Sequence, residues 1–492
     1  MKVPLLIAKN QWRRWIRQRS VVVGLAALGL LQAGTLLGGW LQQQRTQTQR
    51  QLEQALVREQ WEEQPDRHPH RVAHYGYFAR RIPSPLAFFD PGVSRLTGHS
   101  VYLEAHHQNP ANYADAALQV FPQRLAWLDL ASLLRVILPL FLIFAGYGVL
   151  STEDELGTAS LGRALGVSRR QLVFGKLLAL SSLGLVLVSP TLLLGAGGLV
   201  SIAMQPGRAD AIVRGVALGA LYIGWIGLIA SLVVAVSHAL RSSRGALGGL
   251  VAGWVLLALL LPRLASNIGS TVFPAPSTAE FQSAVHEDAL AGGDSHNPND
   301  PRFAKLKKEY LERYGVERVE DLPINFGGVV MTVGEKHTTD VYRRHLNDLR
   351  SIYASQNAIP IWLGVLDPFV AVRHLSMALA GTNSAHAFDF VDQAEDYRYE
   401  LVQALNELHT EKIKFQNDRA QRLDVALYQA LPTFDYRAQP LSRAMANEWL
   451  SLIGLLVWLG LVAALLLRVP GAGSGRPAKA YGLSRLQPES GN

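Results

Sequence analysis

The stretch "HPHRVAH" places His68, His70 and His74 within seven residues, and His106–His107 adds two more imidazoles. Imidazole nitrogens ligate Zn, Cu and Ni, and H-x-H spacing is compatible with that chemistry. The chain has no cysteine, and no methionine cluster accompanies these histidines. Surface histidines are common, so the expectation is that no metal is held. Should one be, His68, His70 and His74 are the candidates. Lack of cysteine also excludes disulfides and thiol catalysis. Phosphate chemistry has no better support: Gly175-Lys176 is followed by Leu177, and no G-x-x-x-x-G-K-[ST] loop occurs. No G-x-S-x-G, H-E-x-x-H or paired-carboxylate signature points to an enzyme.

A second concentration of functional side chains is ionic. Residues 151–176 read "STEDELGTASLGRALGVSRRQLVFGK" between two apolar runs. Glu153, Asp154 and Glu155 precede Gly157-Thr158, and Ser168, Arg169, Gly175 and Lys176 lead into the next run. Thr152 to Glu155 fits a T-x-x-E capping box, with acids at the positive end of a helix dipole. Gly166 then breaks the helix, and Ser168 to Gln171 fits a second box, S-x-x-Q. The pattern predicts a stiff helix over 152–166, a turn and a re-entering helix, suited to transmitting force from a partner that meets the acids. Local physics is equally met by an ordinary capped loop with interfacial arginines.

The elements around these residues are membrane spans. The chain has 492 residues, 49% hydrophobic and only 17% charged. Runs at Val21–Leu41, Leu133–Leu150, Leu177–Met204, Gly215–Leu240, Gly245–Leu261 and Trp449–Leu467 are each suited to crossing a hydrocarbon core ~30 Å thick. The predicted fold class is therefore an all-α polytopic membrane protein with six transmembrane helices. Val21–Leu41 follows six basic residues, but no A-x-A-like site ends it, so an uncleaved span is expected. Arg135 sits near one end of the second run and can snorkel.

A net charge of +8 could suggest nucleic acid, yet the basic residues cluster beside apolar runs. The positive-inside rule accounts for them, and no nucleic-acid partner is expected. The N-terminus, the 151–176 hairpin, the loop with Arg241 and Arg244, and the tail with Arg468, Arg476, Lys479 and Arg485 alternate correctly to share one side. Both termini are then cytoplasmic. Two large, mainly helical regions, about 42–131 and 264–447, lie outside. The polar stretch after Leu41 is expected to prolong the first span, and the longest helix of the second region is expected from about Phe388 to Leu423. The apolar run 359–381 holds Asp367, Pro368, Arg373 and His374 in its middle, so buried core or interfacial docking is expected rather than a seventh span.

Small residues recur every fourth position at Gly215 and Gly219, and at Gly245, Gly249 and Gly253. Such spacing lets helices approach closely in lipid, either within one subunit or across a dimer. Residues 3–18 mix Trp12, Trp15 and aliphatics with basic side chains, an amphipathic helix for the inner membrane surface.

The 153–176 pattern resembles the cytoplasmic coupling segment of type-2 ABC exporter permeases: acids before Gly-Thr, a small-residue turn, then Ser-Arg and a Gly-Lys. The matching positions are Glu153, Glu155, Gly157, Thr158, Ser168, Arg169, Gly175 and Lys176. Asp154-Glu155-Leu156 departs from it, since many relatives carry a basic residue there. The region before the last span is similar to that of a bacterial subgroup with a large uncharacterised extracytoplasmic insertion. The resemblance implies a permease in a bacterial cytoplasmic (inner) membrane, with ATP and Mg bound by a separate ATPase subunit and no cofactor on this chain. It also implies a second permease copy or related permease. Export is the leading expectation. Mechanotransmission to an extracytoplasmic partner protein, with nothing crossing the bilayer, is the alternative.

Overall fold

The computed structural model describes residues 2–114, 128–203, 209–240, 242–297 and 299–469, with side chains of 196–203 left aside. Arg241, Met204, and the tail residues Arg476, Lys479 and Arg485 fall outside these ranges.

Among the described residues, six helices are long and apolar enough to cross a membrane. They are α2 (Arg19–Glu62), α4 (Leu130–Glu155), α6 (Arg169–Ala203), α7 (Ala209–Ala239), α8 (Ser243–Val272) and α14 (Trp449–Leu467). Helix α1 (Lys2–Arg17) precedes them, and α3 (Pro69–Ala73) follows the first. At 1.5 Å per residue, the 44 residues of α2 span about 66 Å, twice the hydrocarbon thickness. Gln42–Glu62 contains no Gly or Pro to stop it, so the polar half continues the helix beyond the bilayer as expected.

Both large inter-span regions leave from the span ends opposite the 151–176 hairpin. The first is not wholly helical: β1 (Tyr77–Arg80), β2 (Ser100–Glu104) and β3 (His107–Gln108) form an antiparallel sheet in the order β1-β2-β3. Tyr77 and Leu103 are opposite one another and both buried, as are Ala79 and Val101, so one face of the ribbon packs inward. That face joins Phe390, Leu401 and Leu405 of the second region in one core.

The second region holds α9 (Thr278–Leu290), α10 (Ala304–Tyr314), α11 (Phe326–Leu366), α12 (Pro368–Ala380) and α13 (Ser384–Lys412). Its longest helix is α11, with 41 residues, whereas α13 stops at Lys412. The apolar repeat used to extend α13 to Leu423 gives way to a polar loop with Asn417 at φ 56°. Asn tolerates that left-handed conformation better than most residues.

The run 359–381 is the bend between α11 and α12, where the chain turns through 120° at Asp367-Pro368. Pro368 occupies the first turn of α12, and Asp367 Oδ1 accepts a hydrogen bond from Phe369 N at 2.9 Å. The bend inserts among the spans. Phe369 meets Trp225 of α7 with ring centroids 4.8 Å apart, and Gly454 of α14 lies so close that a Cβ there would be 2.5 Å from Gly364 O. Buried core is thus the outcome, with the membrane helices themselves as its other half.

Candidate functional site

The hairpin consists of the end of α4, a left-handed Gly157 (φ 72°), α5 (Thr158–Ala164), Gly166 (φ 86°) and the start of α6. Two tight reversals at positive φ explain why glycine stands at both positions. The first expected capping box does not form. Asp154 N donates to Leu150 O, so Thr152 continues the last turn of α4 instead of starting a helix. The second box does form: Gln171 N donates to Ser168 Oγ at 3.2 Å, and Ser168 N donates to Gln171 Oε1 at 2.9 Å. Thr158 Oγ1 donates to Glu153 O, tying α5 back to α4.

All three acids bond within the chain, while Asp154 and Glu155 remain exposed. Glu153 Oε1 accepts from Lys176 Nζ at 2.6 Å and from Arg14 Nη1 at 3.0 Å. Asp154 takes Arg169 in a two-pronged pair at 2.8 and 2.7 Å. Glu155 Oε1 accepts from Ser243 N, capping α8 at 2.8 Å. One turn of acids therefore ties the hairpin to α1, α6 and α8.

Helix α1 is part of this brace. A Cβ on Gly175 would lie 2.6 Å from Ile7 Cβ and 2.9 Å from Pro4 O, so glycine permits the crossing of α1 over α6. Lys176 Nζ also donates to Gln11 Oε1, Trp12 Nε1 to Ser182 Oγ, and Trp15 Nε1 to Ala145 O. With Trp15 only 1% exposed, α1 is seated in the helix bundle as well as at its surface.

Outward, the hairpin shows three leucines among polar side chains, with Arg163 and Arg170 also exposed. Leu156, Leu161 and Leu165 are 72%, 63% and 77% exposed. Sequence reasoning on this stretch singled out its acids, glycines and basic residues and passed over the leucines.

The repeating glycines separate. A Cβ on Gly219 would touch Leu192 Cδ2 at 3.5 Å, which fits packing of α7 on α6. Gly215 is half-buried in α7. Gly245 serves the α8 N-cap, donating to Ser242 Oγ, while Gly249 approaches only Leu240 and Gly253 has nothing within 4 Å. Among the described residues, nothing in the subunit packs closely on Gly253.

The histidines regroup as well. His68 caps α3 by accepting from His70 N on Nδ1, and its Nε2 lies 3.0 Å from Asp418 Oδ1. His409 Nε2 is 2.8 Å from Asp418 Oδ2, and burial of that carboxylate is outweighed by hydrogen bonds from His409, His68 and Asn325, which hold it far below the usual carboxylate range. His70 and His74 point elsewhere, to His106 and His296, so the H-x-H pair is divided between two clusters. Burial, then repulsion from His74 and His106, pushes His70 down to about 3; burial also lowers His74 and His296.

A family model described as ABC-2 family transporter protein matches residues 5–293, more than half of the chain. A second, a domain of unknown function (DUF3526), matches residues 278–437. No curated protein and no solved structure matches the chain.

Proposed function

The chain belongs to the ABC-2 transporter family, and from that premise we propose that it is the exporter permease whose 151–176 hairpin docks a separate ATPase. The observation that carries this reading is the pairing of an outward apolar tip, Leu156, Leu161 and Leu165, with a rigid ionic base. Exposed leucines of that size on one short element are suited to filling a groove in a partner. The acids hold the base; the leucines make the contact. Motion of the docked ATPase would reach α4 and α6 directly, α1 through Glu153, and α8 through Glu155. On this reading the hairpin is cytoplasmic in a bacterial inner membrane, ATP and Mg belong to the partner, and a second permease meets the open glycine face of α8, whose apolar window is 11% buried.

Mechanotransmission has its own support in the joint between spans and domain. Arg214 of α7 donates to Ala378 O at 3.0 Å and to Gln439 O at 2.6 Å, and Tyr222 Oη lies 3.2 Å from Ser376 Oγ. Span movements would be handed to the α11–α12 bend without slack, and on to an outer partner protein. Reconstitution with an ABC ATPase subunit that co-purifies with the permease tests the docking tip. Nucleotide hydrolysis stimulated by the wild-type permease and lost with Leu161→Asp/Leu165→Asp supports the docking tip; equal stimulation by both rejects it.

A further inference from the structure

The geometry points to a tetrahedral site for a divalent transition-metal ion of the Zn2+ class, held by His70, His74, His106 and His296. One nitrogen from each of the four lies within 4.8 Å of all the others. A metal–nitrogen bond of about 2.0–2.1 Å puts imidazole centroids about 5.2 Å apart in a tetrahedron. The six observed separations are 4.6, 5.7, 5.3, 5.4, 6.2 and 4.8 Å, which bracket that value. In a square, the diagonals would be about 1.4 times the sides; here the two opposite pairs, at 5.7 and 6.2 Å, exceed sides of 4.6, 5.4, 4.8 and 5.3 Å by less than that, which describes a flattened tetrahedron. Metal binding would bring the nitrogens from within 4.8 Å to about 3.3 Å of one another, the edge such bonds require.

Three further features favour a ligand over a mere aromatic cluster. First, His70 Nδ1 and His106 Nε2 are buried with no hydrogen-bond partner. Unpaired buried nitrogens are costly, and a cation satisfies both. Second, His106 is supported from behind. Its Nδ1 is 3.0 Å from Glu335 Oε2, while Glu335 Oε1 pairs with Arg398, a guanidinium 1% exposed that also grips Glu395. The carboxylate lies beside Nδ1 as an ionic contact without hydrogen-bond geometry, and Nε2 is left for a metal. Third, His106 takes φ 63° at the β2–β3 turn, a left-handed conformation expensive for a non-glycine residue, and its N–H donates to Glu335 Oε2 at 3.0 Å.

Donor type selects the ion. Four imidazoles without a carboxylate in the set suit borderline metals over Ca2+ or Mg2+, and a tetrahedral arrangement suits Zn2+ over square-planar Cu2+ or Ni2+. His74 and His296 are exposed, giving the ion an open approach. The ligands come from α3 and its C-cap and the β2–β3 turn of the first region, and from His296 after α9 in the second, so the ion joins the two regions.

The test uses the full chain in detergent, stripped with a chelator and titrated with Zn2+ and, separately, Co2+. One equivalent of Zn2+ is expected, with the intense visible absorption of tetrahedral Co2+. His296→Ala and His74→Ala alter exposed side chains, and each is expected to weaken Zn2+ by at least tenfold with the fold retained by circular dichroism. The control His107→Ala, on the neighbouring exposed imidazole, is expected to bind as wild type. Absence of stoichiometric binding, a weak six-coordinate Co2+ spectrum, or unchanged affinity in folded His296→Ala would each overturn the site. No ATPase enters this experiment, so its result is independent of the coupling reading.

Discussion

Lys176 Nζ and Glu153 Oε1 lie 2.6 Å apart, with the lysine side chain 3% exposed, and this pair locks the 151–176 hairpin to the third span. Gln11 and Arg14 complete the cluster from α1. A buried ion pair is more costly to halve than to lack, because the remaining charge has nowhere to go.

Glu153→Ala is therefore expected to destabilise the protein by about 3 kcal/mol, visible as a lowered thermal midpoint in detergent. Glu312→Ala, which removes an exposed pair with Lys308, is expected to leave the midpoint unchanged. Equal midpoints for Glu153→Ala and wild type would show that the ionic base carries no load.

Leu161→Asp/Leu165→Asp is expected to behave in the opposite sense. Both side chains are mostly exposed, so stability and membrane insertion should be unaffected. Co-purification of the ATPase should fall at least tenfold, the fraction retained being read by quantitative immunoblot. An intact complex would move the docking surface away from α5.

Gly175→Val should push α1 off the bundle, since its first added carbon already meets Ile7 and Pro4. Overpacking of this kind costs roughly 1–3 kcal/mol, and hydrogen exchange in residues 2–17 should rise. Unaltered exchange there would mean that α1 is held by lipid and not by the α6 crossing.

Gly253→Leu meets open space, so the single subunit should be as stable as wild type. If α8 faces a second permease, the oligomer should dissociate, as light scattering in detergent would register. A dimer that persists places this face toward lipid.

Asp367→Ala removes the α12 cap at the 120° bend and is expected to cost about 1 kcal/mol, whereas Asp367→Asn keeps an acceptor for Phe369 N. Thermal unfolding that ranks Asn at or below Ala would show that the cap does not hold the bend.

The number of spans, the prolongation of α2 and the second capping box were legible in the sequence because each is local. Apolar run length, the absence of breakers and S-x-x-Q spacing act within a few turns. The fold class follows from them, since a bilayer admits few ways to bury backbone polar groups. The partners of the acids were not legible. "TEDE" fits a helix start equally well, and only the arrival of Lys176, Arg14, Arg169 and the α8 N-terminus shows which internal bonds the three acids make. The histidines teach the same lesson at longer range. H-x-H suggested neighbours in chemistry as well as in sequence, but α3 points His68 to Asp418 and His70 to the opposite cluster. His106 and His296, from a turn and a distant loop, complete that cluster. Alternation along one helix could be read from spacing; the meeting of three separate segments is set by packing between the two outer regions, which no local pattern encodes.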